Sequence, residues 1–155
     1  MTNISFVTWS PHNGDHSTTA QVVECYREVF ADTPWNEWLR CCKCSKYWGK
    51  KDGALLASMR FLHCGVPLTD FWSRDQVVAD FLHEITEESS CWLAINDNQV
   101  VGFTLGYPID SNQLMEKLGL EFRIDFHFVR YQDDIGLLSP YRQSKVGKAL
   151  NKRCR

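Results

Sequence analysis

The sequence has no long apolar run. No stretch approaches the roughly 18 uninterrupted apolar residues of a membrane-spanning helix, and the first residues lack the basic region and apolar segment of a signal peptide. The sequence therefore predicts a cytoplasmic protein that has no membrane partner.

An excess of positive charge is also absent. The 17 Lys and Arg residues are balanced by 19 Asp and Glu residues, which gives a net charge of −2 at pH 7. Because nucleic-acid-binding domains usually carry a strong positive charge, the chain as a whole is predicted to have no nucleic-acid partner. The sequence also has neither a Gly-x-x-x-x-Gly-Lys-Ser/Thr motif nor a Gly-x-Gly-x-x-Gly motif, which disfavours the common nucleotide-binding classes.

The composition is that of one globular domain. The 155 residues are 44% hydrophobic and 23% charged, and no repeat or linker divides them, so residues 1–155 are predicted to form a single domain. Seven cysteines are an odd number, which argues against a complete set of disulfides. In a reducing compartment they are expected to be free thiols or metal ligands.

Hydrophobic periodicity predicts an α/β order of elements. Helical spacing of apolar residues occurs at 18–30, after Ser73, and at 111–120. Strand patterns occur at 4–9, at 122–129, and on both sides of the turn Asn96-Asp97-Asn98, which predicts a hairpin. In the helix after Ser73 the predicted apolar face consists of Val77, Val78, Phe81, Leu82 and Ile85.

The most informative motif lies near the end of the sequence. Residues 133–150 are predicted to form a short strand, a basic turn and the start of a helix. Arg142, Lys145 and Lys148 give this turn a positive charge. A helix N-terminus has unpaired backbone N–H groups and the positive end of the helix dipole, so the turn is predicted to bind a pyrophosphate.

The segment from Arg142 to Gly147 resembles the acyl-CoA-binding signature of the GNAT N-acetyltransferase superfamily, Gln/Arg-x-x-Gly-x-Gly/Ala between a strand and a helix. Lys145 occupies the position of the first glycine, where its charge is expected to compensate in part for the added Cβ. The resemblance implies a mixed, mostly antiparallel sheet flanked by helices, with acetyl-CoA as cosubstrate and an amine as acceptor. The residues that it implies for cofactor binding are Ile135, Gly136, Leu137, Leu138, Arg142, Gln143, Ser144, Lys145, Val146, Gly147 and Lys148.

In the GNAT family further strands follow the signature helix, whereas this sequence ends about two turns into that helix. The resemblance therefore implies a GNAT-like domain that lacks its C-terminal strands and has weak or no turnover. An exposed sheet edge would remain, and a homodimer is one way to cover it.

Acetyl transfer to an amine needs a base that accepts a proton from the nucleophile. Asp133 and Asp134, on the strand that enters the signature, are the predicted catalytic residues. The alternative is that both are exposed carboxylates at a strand edge. Glu121, Asp125 and His127 are weaker candidates.

A second motif is Cys41-x-x-Cys44, the spacing with which one tight turn supplies two thiolates to a zinc ion. His63 and Cys64 are the nearest candidates for the remaining ligands, although a second Cys-x-x-Cys is lost because residue 61 is Phe. Pro34-Trp35-Asn36-Glu37 resembles the segment that precedes a small zinc ribbon in some acetyltransferase-like proteins, which implies a cysteine-containing insert at 38–72 with structural zinc. The alternative is a set of reduced thiols, as expected for Cys25, Cys91 and Cys154.

A second function class remains open, a noncatalytic zinc-ribbon or protein-interaction module. In that case Trp35, Trp38, Trp48 and Trp72 would form a partner-binding face around the insert. Tryptophans are more often core residues, so the acetyltransferase hypothesis ranks first.

Overall fold

The structure is a computed structural model that describes residues 4–13, 15–121 and 126–154. Its helices are α1 His16–Ala31, α2 Gly53–Ser58, α3 Arg74–Glu84, α4 Ser111–Leu118 and α5 Lys145–Cys154. Its strands are β1 Ile4–Thr8, β2 Leu39–Arg40, β3 Tyr47–Trp48, β4 Leu62–His63, β5 Val66–Pro67, β6 Thr69–Asp70, β7 Trp92–Asn96, β8 Gln99–Asp110 and β9 Phe128–Leu137. None of the described helices is both long and apolar enough to cross a membrane.

The main sheet has four antiparallel strands in the order β1-β7-β8-β9. Alternate side chains of these strands face opposite sides of the sheet. Leu93 and Phe103 pack against α1 and α3 in the larger core, whereas Ala94 and Val101 pack against Leu150 of α5. The predicted α/β class, an antiparallel sheet flanked by helices, is thereby confirmed.

The helices begin where polar side chains satisfy free N–H groups. The Asp15 carboxylate accepts a hydrogen bond from the Thr18 N–H at the start of α1, and the Ser73 hydroxyl accepts one from the Gln76 N–H at the start of α3. Val77 and Phe81 of α3 are buried as predicted. Leu82 is 47% exposed, because the residue after Phe81 is rotated about 100° away from the buried face.

The predicted hairpin is confirmed as β7 and β8, joined by a tight turn in which Asp97 and Asn98 adopt positive φ. The separate strand predicted at 122–129 is not observed as such. Residues 122–125 lie outside the described residues, and Phe128 and Val129 are the first residues of β9 itself. Apolar and polar residues alternate in the same way in one long strand as in two short ones, so periodicity could not separate them.

Residues 38–72 form two small sheets, β3-β2-β6 and β4-β5, together with α2. Their own small core contains Cys41, Trp48 and Leu56, all buried. Asp70 of β6 forms an ion pair with Arg27 of α1, with 2.7 Å between Oδ2 and Nη2. This segment therefore has its own core, and it is joined to the rest of the chain by ion pairs with α1 and by the packing of Trp72 against the main core.

Candidate functional site

The two predicted catalytic carboxylates lie at a β-bulge in β9. Leu105 of β8 pairs with Asp134 and Gly106 pairs with Gln132, so Asp133 is an extra residue without a partner of its own in the ladder. In a regular strand, successive side chains face opposite sides of the sheet, and a bulge breaks this alternation. Asp133 and Asp134 are therefore close enough that each affects the same neighbours.

Asp134 is half-buried between the sheet and α1. Its Oδ2 accepts a 3.3 Å hydrogen bond from the Tyr26 hydroxyl. Burial raises the pKa of Asp134 to about 6, the charge of Asp133 adds to this effect, and the Tyr26 hydrogen bond opposes it. A carboxyl group with a pKa near neutrality can exchange protons at physiological pH, which a general base must do.

Asp133 belongs to a network with Tyr107 and Lys117. The Tyr107 hydroxyl donates a 3.2 Å hydrogen bond to Oδ2 of Asp133, and Lys117 Nζ lies 3.2 Å from its Oδ1. Burial disfavours the Lys117 ammonium group, but the hydrogen bond with Tyr107 and the charge of Asp133 outweigh it and raise the lysine pKa. Burial and the Asp133 charge also raise the pKa of Glu84 at the end of α3. Asp133, Asp134 and Glu84 therefore form an acidic site in which Lys117 is the neighbouring cation.

A groove of about 420 Å³ runs along β9 to the first turns of α5. Six of the eleven predicted cofactor-binding residues line it, namely Ile135, Gly136, Leu137, Arg142, Gly147 and Lys148. In the described part of the chain β9 has β8 as its one partner, so its other edge is free to face the groove. Gly136 has no room for a side chain, because an added Cβ would lie 2.5 Å from the Phe103 ring.

The other five predicted cofactor residues have different surroundings. Leu138 and Val146 pack against the hydrophobic cores. Gln143 adopts a positive φ of 61° in the turn, and Lys145 is the first residue of α5. The Ser144 hydroxyl donates to the Tyr141 carbonyl and accepts from the Val146 N–H, so it stabilises the start of the helix.

Arg142 lines the groove, but its guanidinium group is held by the protein. It donates hydrogen bonds to the Leu137 carbonyl (3.0 Å) and to the Thr33 carbonyl, and it forms an ion pair with Asp32 (3.3 Å). These contacts tie the end of β9 to the segment after α1. They favour a role in shaping the groove, and the predicted role in cofactor binding stays a prediction.

The weaker catalytic candidates are not part of the Asp133 and Asp134 site as described. Glu121 and His127 are exposed, and Asp125 lies outside the described residues. The structure instead adds Tyr26, Glu84, Tyr107 and Lys117, which the sequence analysis did not identify. The one sequence signal was Tyr26, a residue with a polar tip on the apolar face of α1.

The four predicted metal ligands come together in the insert. Cys41 and Cys44 belong to the turn between β2 and β3, His63 is the last residue of β4, and Cys64 begins the turn to β5. Their ligand atoms all lie within 4.8 Å of one another. Positive φ values at Cys64 and Gly65 make the second turn tight enough for two neighbouring residues to reach the same point.

This set of ligands fits a zinc ion. His63 Nδ1 lies 3.5 Å from Cys44 Sγ and 3.3 Å from Cys64 Sγ. Tetrahedral zinc with typical bond lengths places its N and S ligands about 3.6 Å apart, and three Cys with one His is a common structural set. The hydrogen bond with His63 lowers the pKa of the Cys41 thiol to about 6, whereas that with Cys44 raises the pKa of Cys64 to about 11.

The tryptophans do not form one exposed face. Trp48 is buried in the insert core, against which Trp38 packs, and Trp72 packs against the main core. Trp35 is 52% exposed, but it lines the groove beside β9. The placement of these four residues weighs against a tryptophan-based partner surface.

No family model and no curated protein matches this sequence. Among solved structures, the chain is similar to PaiA N-acetyltransferase from Thermoplasma acidophilum in complex with coenzyme A, with 12% identity, a TM-score of 0.51, and coverage of 97% of this chain and 68% of that chain. It is also similar to the histone acetyltransferase HPA2 and related acetyltransferase from Corynebacterium glutamicum, with 16% identity, a TM-score of 0.50, and coverage of 98% and 69%.

An integron cassette protein from the mobile metagenome of V. cholerae matches with 12% identity, a TM-score of 0.49, and coverage of 96% of this chain and 64% of that chain. The chain thus spans about two thirds of the length of these three structures. At such identities the likeness concerns the fold. Together with the antiparallel sheet and its flanking helices, it shows that the chain has the fold of the GNAT-type acetyltransferases.

Proposed function

We propose that the protein is an acyl-CoA-dependent N-acetyltransferase that transfers an acetyl group to an amine. The observation that carries the proposal is the position of Asp134, a carboxyl group with a pKa of about 6 that is directly followed in β9 by the groove residues Ile135 and Gly136. A base for the amine and a groove for the acyl donor therefore adjoin on one strand. A coenzyme A complex of a protein with the same fold supports this choice of cosubstrate.

In this proposal Asp134 accepts a proton from the acceptor ammonium group and releases it to solvent. The free amine nitrogen then forms a bond with the acetyl carbon, the carbon–sulfur bond breaks, and the second proton from nitrogen ends on the CoA thiol. Tyr26 positions Asp134 through its hydrogen bond, and Lys117 neutralises part of the charge of Asp133. The acidic surroundings favour a cationic acceptor before proton transfer.

The first turn of α5 is the proposed phosphate site. The N–H groups that begin a helix have no partner within the helix, and the dipole favours an anion there. Gly147 lines the groove, and a Cβ added there would lie 3.2 Å from Leu137. A side chain at this position would therefore narrow the groove where the phosphates are proposed to bind. Lys148 also lines the groove and adds a positive charge.

Isothermal titration of acetyl-CoA into the full chain tests the proposal. We expect binding that Gly147→Asp abolishes, because a carboxylate would then face the phosphates. Lys148→Gln should weaken binding several-fold, whereas Lys152→Gln, an exposed lysine one turn further along α5, should leave it unchanged. Absence of binding, or equal binding by all variants, would remove the basis for the assignment.

A second proposal concerns the insert, for which we propose a structural zinc ion held by Cys41, Cys44, His63 and Cys64. Four protein ligands leave no open position for a substrate, which is typical of a structural site. The ion would join the β2–β3 turn to the β4–β5 turn. Reduced thiols of this kind suit the cytoplasmic location that the sequence predicts.

The single domain at 1–155, with its insert at 38–72, also remains our proposal, as does a homodimer. The free edge of β9 supports the dimer, because an exposed strand edge is a template for pairing with another chain. Sedimentation equilibrium of the full chain decides it, since a monomeric mass at micromolar concentration would exclude the dimer.

A further inference from the structure

The charge of the protein is unevenly distributed between the insert and the rest of the chain. Residues 38–72 contain six Lys and Arg residues and two Asp residues, a net charge of +4. The rest of the chain contains eleven Lys and Arg residues and seventeen Asp and Glu residues, a net charge of −6. The overall value of −2 therefore hides a basic insert on an acidic domain.

Most of the positive charge of the insert is not neutralised by ion pairs. Of its six cationic residues, Lys50 alone forms an ion pair within the described part of the chain, and its partner is Glu28 of α1. Both acidic residues of the insert have other contacts: Asp70 pairs with Arg27, and the Asp52 carboxylate accepts a hydrogen bond from the Gly49 N–H. The remaining cations are Arg40, Lys43, Lys46, Lys51 and Arg60.

One face of the sheet β3-β2-β6 combines a cation with aromatic rings. Arg40 of the central strand pairs with Tyr47 on one side and Thr69 on the other, so these three side chains project from the same face. The Phe71 ring lies 5.3 Å from the Tyr47 ring, and the Arg40 guanidinium carbon lies 5.7 Å from the centre of the Phe71 ring. Together with Ser45 they line a cavity of about 430 Å³.

The chemistry of this face suits an anion that also carries a flat ring. Tyr47 is 49% exposed and presents an aromatic surface for stacking. Arg40 supplies a permanent positive charge, and the Ser45 and Thr69 hydroxyl groups can donate or accept hydrogen bonds at the cavity wall. Lys43 and Lys46 are engaged elsewhere, since Lys43 Nζ donates a hydrogen bond to the Cys64 carbonyl and Lys46 Nζ lies 5.4 Å from the centre of the Trp48 ring, so Arg40 is the cation of this cavity.

We infer that this face of the insert binds single-stranded nucleic acid, with an unpaired base stacked on the exposed Tyr47 ring, Phe71 at its edge, and the adjoining phosphate held by Arg40. Aromatic stacking combined with a basic groove is the general mode of single-strand recognition. An acidic protein segment would use the cations but would gain little from an exposed tyrosine beside Phe71. This inference is independent of the proposed acetyl transfer and revises the expectation of no nucleic-acid partner for the insert alone.

Fluorescence anisotropy with a labelled 12-nucleotide single-stranded RNA, and with DNA of the same sequence, tests this inference on the full chain. We expect binding that Tyr47→Ala weakens at least about fivefold, because stacking contributes about 1–3 kcal/mol per base. Tyr47→Phe should retain binding, since the ring is kept. Arg40→Gln should weaken binding and reduce the slope of log K against log salt by about 0.7.

Two control variants make the result specific. Lys152→Gln removes one exposed charge far along the chain on α5, and Phe61→Ala removes an exposed aromatic ring elsewhere in the insert, so both should bind as the unaltered chain does. The inference is overturned if no binding occurs at 50 mM salt, or if Tyr47→Ala and Arg40→Gln bind as tightly as the controls. It is also overturned if an acidic peptide of equal charge displaces the oligonucleotide at equal concentration, because the face would then recognise charge alone.

Discussion

The Tyr26 hydroxyl group donates a hydrogen bond to the Asp134 carboxylate across 108 positions of sequence. Tyr26 lies on α1 and Asp134 on the bulged strand β9, so the contact joins the helix layer to the sheet at the candidate catalytic site. Burial raises the pKa of both groups, and the hydrogen bond lowers the pKa of Asp134 in opposition to that effect. Tyr26 therefore holds the Asp134 carboxylate in place, and its hydrogen bond favours the ionised form of a group whose pKa is raised chiefly by burial.

The pH dependence of acetyl transfer should report on this pair. Activity should rise with pH through about 6, as Asp134 loses its proton. Tyr26→Phe removes a hydrogen bond to the ionised carboxylate, so it should move the midpoint of this rise in activity to higher pH. Asp134→Asn should lower kcat/KM by about 100-fold or more and abolish the rise near pH 6. The measurement is thiol release from acetyl-CoA with an alkylamine, a diamine and a lysine peptide. A Tyr26→Phe profile that coincides with that of the unaltered enzyme would contradict the assigned role.

The stability of the fold should depend on the same carboxyl group. The folded-state pKa of Asp134 lies above its ordinary value near 4, so the folded protein binds this proton more tightly than the unfolded chain does. Its contribution to stability is present below pH 4 and is lost as the pH rises through about 6. Asp134→Asn should therefore stabilise the protein by about 1–2 kcal/mol at pH 7.5, after allowance for solvent screening, and by much less at pH 4. Urea unfolding at both pH values measures the difference, and an equal gain at pH 4 would contradict it.

Gly136→Ala should destabilise the protein by about 1–3 kcal/mol, because the new Cβ would lie 2.5 Å from the Phe103 ring and 3.0 Å from Val29. Gly53→Ala is the matched control, since its Cβ would meet Trp38 at an ordinary 3.9 Å in the first turn of α2. Thermal unfolding of both variants gives the comparison. Equal melting temperatures of the two variants would contradict the prediction, because Phe103 and Val29 would then accommodate the methyl group without loss of stability.

Zinc should stabilise the insert. Cys44→Ser removes one of the four clustered ligands, whereas Cys42→Ser changes an exposed thiol outside the cluster. We expect one zinc per chain in the unaltered protein and in Cys42→Ser, a substoichiometric amount in Cys44→Ser, and a lower melting temperature after chelation. Elemental analysis and thermal unfolding provide these values. A chain purified without zinc whose melting temperature does not rise when zinc is added would falsify the structural role.

Sequence periodicity predicted the elements whose signals are local. The start of α3 after Ser73, the hairpin at Asp97 and Asn98, and the strand–turn–helix order around Arg142 all depend on residues within a few positions of one another. The ligand spacing Cys41-x-x-Cys44 is local in the same sense. The extent of β9 was missed because a half-buried strand has the same alternation whether it ends at Val129 or continues to Leu137.

The sequence by itself determined the α/β class, the basic turn before α5 and the four candidate metal ligands, because each depends on residue type and short spacing. Tertiary structure alone decided that Asp133 and Asp134 share one acidic site, since this requires the register shift against Leu105 and Gly106. It also decided the pKa of Asp134, which burial under α1 raises. In the same way it decided that Arg142 donates a hydrogen bond to the Thr33 carbonyl in the segment after α1. The contacts of Asp134 with Tyr26 and of Arg142 with Thr33 join residues about 100 positions apart, and nothing in local periodicity specifies which distant side chains meet when the sheet and helices pack.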